Sequence, residues 1–218
     1  MNLNANFDER VIVHSDEVEW KASPMPGVDR RMLDRIGDEV ARATTIVRYA
    51  PESKFSAHTH TGGEEFIVID GVFQDEHGDF PVGTYVRNPP TSSHTPGSDE
   101  GCTIFVKLWQ FDPEDRTQIT IDMNDELKNT DKAVLFEDAR ETVSVQNWKA
   151  GESVAIDLPQ GGEFLVLEGG FHDGEDELRK HSWLRLPQGS QFNAKAGDNG
   201  AKVWVKTGHL PYAQAPSV

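Results

Sequence analysis

Short runs of β-branched and aromatic residues recur along the chain, separated by Gly, Pro, Asn and Asp. Phe66-Ile67-Val68-Ile69, Thr103-Ile104-Phe105-Val106, Phe164-Leu165-Val166-Leu167 and Lys202-Val203-Trp204-Val205 are representative. Runs of this length with turn residues between them predict strands, and their regular spacing predicts an all-β sandwich or barrel. The stretch from Arg30 to Val40 is ambiguous, because Met32, Leu33, Ile36 and Val40 would also form one helical stripe. Alternation from Val40 to Tyr49 leads directly into a histidine-bearing segment, so a hairpin turning near Gly37-Asp38 is the better reading.

The pattern occurs twice. Glu65-Phe66-Ile67-Val68-Ile69-Asp70-Gly71-Val72-Phe73 matches Glu163-Phe164-Leu165-Val166-Leu167-Glu168-Gly169-Gly170-Phe171 at an offset of 98. The same offset aligns Asp75 with Asp173, Arg87-Asn88-Pro89 with Arg185-Leu186-Pro187, and Ser92 with Ser190. After a one-residue slip, Val106-Lys107 falls on Val205-Lys206. The chain therefore reads as two copies of one β module. The predicted modules are residues 1–115, which include an N-terminal arm, and residues 130–210, with an acidic and polar connection between them. The arm and the last residues are expected to wrap the surface or reach a neighbour.

The first copy carries His58-Thr59-His60-Thr61-Gly62-Gly63-Glu64, and His94 follows the turn Pro89-Pro90-Thr91-Ser92-Ser93. Alternate side chains of a strand share a face, so His58 and His60 project together. Glu64 lies past a Gly-Gly bend that lets the chain fold back. Three imidazoles and one carboxylate suit one divalent transition metal, with zinc or iron expected and nickel or manganese compatible. At the repeat offset these four positions become Ile156, Leu158, Gly162 and Phe192, so the four candidate ligands are lost together. That is the pattern of one site filled with hydrophobic packing: one metal in the first module and none in the second, which is structural or takes an apolar ligand.

The remaining candidates read as structure. Glu65 persists as Glu163 where the other four change, so it is expected to make hydrogen bonds or a salt bridge. His77 lies in a turn and is expected in solvent, and Cys102 is expected to be a buried, inert thiol. Phe55, Tyr85, Phe105 and Trp109 should pack the first module, one or two of them lining a pocket. Trp204 and Phe192 should fill the equivalent space of the second, and His14, His172, His181 and His209 should lie on the surface.

Composition narrows the function classes. The formal net charge is −16, which disfavours nucleic acid as a partner. No apolar stretch approaches the roughly 20 residues of a membrane-spanning helix. Nor does the N-terminal sequence Met1–Arg10 read as a secretory leader. Cys102 is the only cysteine, which excludes an internal disulfide and a cysteine-based zinc site and suits a cytoplasmic location.

His58, His60, Glu64 and Gly71, followed by Gly83, Pro89 and His94, resemble the two motifs of the cupin superfamily. The chain departs from them where Glu52 and Ser53 replace an initial glycine, Thr91 replaces a turn glycine, and Ser98 replaces an asparagine. Within the superfamily, His58–Gly78, Arg87–Pro96 and Gly101–Lys107 are most similar to the cupin domain of ChrR-type anti-sigma factors. The resemblance is strong over residues 27–111 and weaker over 134–208. It implies two tandem jelly rolls, a bicupin, and zinc held through His58, His60, Glu64 and His94. The helical domain with which that family grips a sigma factor carries a His-x-x-x-Cys-x-x-Cys motif. This chain lacks the motif, so direct sigma-factor binding is not expected.

Two functions remain open. One is a ChrR-like metal-binding bicupin that binds or senses a small molecule, in a regulatory role. The other is an iron-dependent dioxygenase acting on a small diketone or hydroxyketone. A homodimer paired through edge strands is a further expectation.

Overall fold

The computed structural model describes residues 1–38 and 40–216. β-strands dominate it, and the chain divides into two compact units. Among the described residues, the first comprises residues 1–5, 19–122 and 214–216, the second residues 6–18 and 123–213.

In the first unit the strands Val28–Gly37 and Ala41–Tyr49 form the expected hairpin. Its β-branched positions alternate between the two faces of the sheet, which a helix would not allow. The sheet continues antiparallel through Cys102–Leu108, Glu64–Asp75, Thr84–Asn88 and Ile119–Asp122. Opposite it lie short strands, among them His58–Thr59 paired with Ser93–His94. The cup between these layers is filled by Val28, Val47, Phe66, Val68, Phe73, Phe80, Val86, Cys102, Ile104 and Val106.

The second unit repeats this order with Thr142–Trp148, Ser190–Thr207, Gly162–Asp173 and Ser182–Leu186. The slip seen in the sequence is a real register difference: Phe66 faces Val106, and Phe164 faces Val205. Gly71 and Gly169 explain why both copies keep glycine at this point. Each has a positive φ, +68° and +64°. A Cβ there would meet the carbonyl oxygen of Gly101 or of Gly200 at 2.1 Å.

The sheets end differently. In the first unit Ile119–Asp122 pairs with Thr84–Asn88, and in the second Val11–His14 pairs with Ser182–Leu186. The sequence reading keeps residues 1–115 together, whereas Asn6–Val18 lies in the second unit. Its ladder is reinforced by ion pairs from Arg10 to Asp173 and Asp176, and from Asp16 and Glu17 to Arg179.

Two expectations about side chains are corrected. Trp204 does not fill the second cup, because its neighbours Val203 and Val205 do, and a strand residue between two inward ones points away. His209 is not on the surface: it is buried, with Nε2 2.8 Å from Glu163 Oε1. Other readings hold. Phe192 is fully buried and stacked on Phe164 with centroids 4.1 Å apart, Cys102 is buried and His77 is exposed. Burial pushes the Cys102 thiol up to about 11, as expected of an unreactive sulfur.

Candidate metal centre

The ladder between His58–Thr59 and Ser93–His94 places His94 directly opposite His58. Alternation then brings His60 to the same face as His58. The imidazole centroids lie 5.0 Å apart for His58–His60, 4.9 Å for His58–His94 and 4.6 Å for His60–His94. Glu64 enters from the first residue of the long strand Glu64–Asp75, after the Gly62-Gly63 bend. A Cβ on Gly62 would lie 2.1 Å from the Trp109 ring, and one on Gly63 2.4 Å from Phe111, so the bend closes only with glycines. One potential ligand atom from each of His58, His60, Glu64 and His94 lies within 4.8 Å of the others. His58 is exposed and the other three are buried, so the cluster opens to solvent on the His58 side.

Two of the imidazoles are oriented from behind. The Ser92 hydroxyl donates to the Pro89 carbonyl at 2.6 Å, so its oxygen is left to accept from His60 Nδ1 at 3.0 Å. His94 Nδ1 lies 3.2 Å from Asp75 Oδ2, and a carboxylate oxygen accepts, so this nitrogen carries the proton. Both Nε2 lone pairs therefore face the cluster. His60 Nε2 is buried without a hydrogen-bond partner and lies 3.4 Å from Glu64 Oε1, while His94 Nε2 lies 3.7 Å from the same oxygen. Electron pairs crowded in this way repel unless a cation or a proton sits among them. The donor set thus fits a divalent transition metal.

Electrostatics point the same way. Burial, reinforced by His94 and His58, lowers the His60 pKa to about 3, and burial foremost also lowers that of His94. Burial raises Glu64 to about 7, against a weak opposing hydrogen bond donated by Asn88 Nδ2 at 3.4 Å. Without a cation the pocket keeps these imidazoles neutral and readily protonates the carboxylate.

Glu65 has the structural role read from the repeat: it is buried and accepts a hydrogen bond from the Tyr85 hydroxyl at 2.8 Å. In the second unit the four equivalent positions remain neighbours. Phe192 pairs with Ile156, as His94 pairs with His58. A Cβ on Gly162 would meet Leu158 Cδ2 at 2.9 Å, so Leu158 takes the room that a side chain at the Glu64 position would need. The turns that lack motif glycines keep glycine-like backbones, with φ of +59° at Glu52 and +75° at Thr91. Sequence reading noted Asp75 and Ser92 only as repeated scaffold and missed Asn88 and Tyr49. The retention of Asp75 and Ser92 as Asp173 and Ser190 concealed their link to the histidines.

A jelly roll made twice, with three imidazoles and a carboxylate converging in one cup, defines a bicupin with a candidate metal site. Residues 8–112 match the family model of the ChrR cupin-like domain. Solved structures share the fold at low identity. A candidate dioxygenase from Nostoc punctiforme is 17% identical with a TM-score of 0.74, covering 97% of this chain and 87% of that one. Protein YlbA from Escherichia coli is 14% identical with a TM-score of 0.72, covering 93% and 92%. The E. coli pirin YhhW in complex with nickel(II) is 11% identical with a TM-score of 0.65, covering 91% and 98%. No curated protein matches the chain by sequence. Among the described residues no helix is long and apolar enough to cross a membrane.

Proposed function

We propose that the first unit holds one divalent transition metal through His58, His60, Glu64 and His94, and binds a small oxygen-donor molecule at it. The observation that carries this reading is the orphaned, buried Nε2 of His60, aimed at Glu64 and His94 while its Nδ1 is held by Ser92. Zinc, iron, nickel and manganese all accept this donor set. The metal would supply a Lewis-acidic coordination position for the ligand oxygen. The protein supplies the rest: fixed imidazole orientations, an apolar cup, and a solvent opening beside His58. The match to the ChrR cupin-like domain supports a ligand-responsive, regulatory role.

A second reading is oxidative cleavage of a small diketone or hydroxyketone with iron. The solvent-facing His58 side and the shared fold of the Nostoc candidate dioxygenase favour it. Elemental analysis with oxygen uptake separates the two. Bound iron and substrate-dependent oxygen consumption would establish the enzyme. Bound metal with no turnover after iron reconstitution would support ligand binding alone. A chain that takes up no metal would refute both.

A further inference from the structure

The two units differ at one aromatic position that packs against the cup. In the first unit Tyr49 stands opposite Cys102, which stands opposite Gly71. In the second, Trp148 stands opposite Ala201, which stands opposite Gly169. The ladder therefore makes Trp148 the counterpart of Tyr49. Their ring contacts correspond. Tyr49 lies edge-on to Phe73 at 5.8 Å, and Trp148 lies edge-on to the equivalent Phe171 at 5.1 Å. Phe73 in turn lies 5.7 Å from the His94 ring, so Tyr49 and His94 rest against the same phenyl group. Phe55 packs edge-on to Tyr49 at 5.2 Å from another side.

The polar ends of the two aromatics are treated in opposite ways. In the second unit, which lacks the ligand set, Trp148 Nε1 donates to Gln146 Oε1 at 3.0 Å. Two residues before Tyr49 the first unit has Val47, an apolar member of the cup wall. The Tyr49 hydroxyl has no hydrogen-bond partner among the described residues; the half-buried ring packs against the cup wall, near enough to Glu64 to sense its charge. A tyrosine hydroxyl left without a protein partner at a half-buried position is available to a ligand or to water. Here that partner is missing only in the unit with the candidate metal centre.

We propose that Tyr49 positions the ligand of the first unit: its hydroxyl donates a hydrogen bond to an oxygen of a small molecule bound at the His58/His60/Glu64/His94 centre. The surrounding wall of Val28, Val47, Phe55 and Phe73 selects an apolar body. The ligand class is then a small, mostly apolar molecule that brings oxygen both to the metal and to the phenol. This rests on the proposed metal centre, so metal content is measured first.

The test uses the full chain loaded with cobalt(II), whose visible spectrum reports ligand exchange, titrated with acetylacetone and with benzoylacetone. Tyr49→Phe keeps the ring and removes only the hydroxyl. The expected result is unchanged cobalt content and melting temperature, with at least about tenfold weaker probe affinity, as for loss of one hydrogen bond to a charged acceptor. Equal affinity in the two proteins would overturn the assignment of Tyr49. A cobalt-loaded wild type whose spectrum neither probe alters would overturn the ligand class and Tyr49 together, leaving the metal centre standing. A wild type that takes up no cobalt would overturn the metal centre, and Tyr49 with it.

Discussion

His94 faces His58 across a two-residue ladder, and at the corresponding point of the second unit Phe192 faces Ile156. One backbone register thus holds a polar pair in one cup and an apolar pair in the other. The exchange of chemistry at fixed geometry separates what the scaffold needs from what the site needs.

His94→Ala is expected to lower metal occupancy at least about tenfold, because it removes one of four donors. Phe192→Ala should leave metal content unchanged and destabilise the second unit by about 3–5 kcal/mol, the range for truncating a buried phenylalanine. Elemental analysis and denaturant unfolding of both variants check this. Metal content equal to wild type in His94→Ala would refute the ligand assignment.

Asp75 fixes the proton of His94 on Nδ1. Asp75→Ala should weaken metal binding by about 10–100-fold, as for other groups that orient a metal-binding histidine. The repeat supplies the control, since Asp173 bonds Arg10 instead. Asp173→Ala should leave affinity as it is. Chelator competition on the two variants measures the difference, and equal losses would show that the effect is only structural.

Metal uptake should depend on pH through Glu64. Its pKa of about 7 means that below about pH 7 the folded, metal-free protein carries a proton that a metal must displace. Affinity from this group therefore falls as pH drops below about 7 and levels off above it. His60, lowered to about 3, is already neutral across that window and adds no proton. Replacing Glu64 by Gln should reduce the pH slope of affinity by about one proton. Competition titrations between about pH 5 and about pH 8 measure both slopes, and identical slopes would contradict the role of Glu64.

Gly71→Ala and Gly169→Ala should each destabilise their own unit by at least about 1–3 kcal/mol, from a left-handed φ and a carbonyl in the way of the new methyl group. Denaturant unfolding measures it. Neutral variants would show that the bulge can relax, and that the repeated glycines have another cause.

The sequence by itself determined the strands, their duplication, and the residues of the candidate centre. Each is local or periodic information: alternation assigns His58 and His60 to one face, and the offset of 98 shows which positions change together. Glu65 could be set apart from Glu64 for the same reason, because its copy survives as Glu163. Other features depend on which distant strands become neighbours. The tertiary structure alone decided that Val11–His14 joins the second sheet, that Asp75 and Ser92 back His94 and His60, and that His209 is buried against Glu163. It also showed that the Tyr49 hydroxyl lacks the partner that Gln146 gives Trp148. Side-chain hydrogen bonds are set by positions in space after the sheets pair, and a linear pattern of apolar and polar residues holds no record of them.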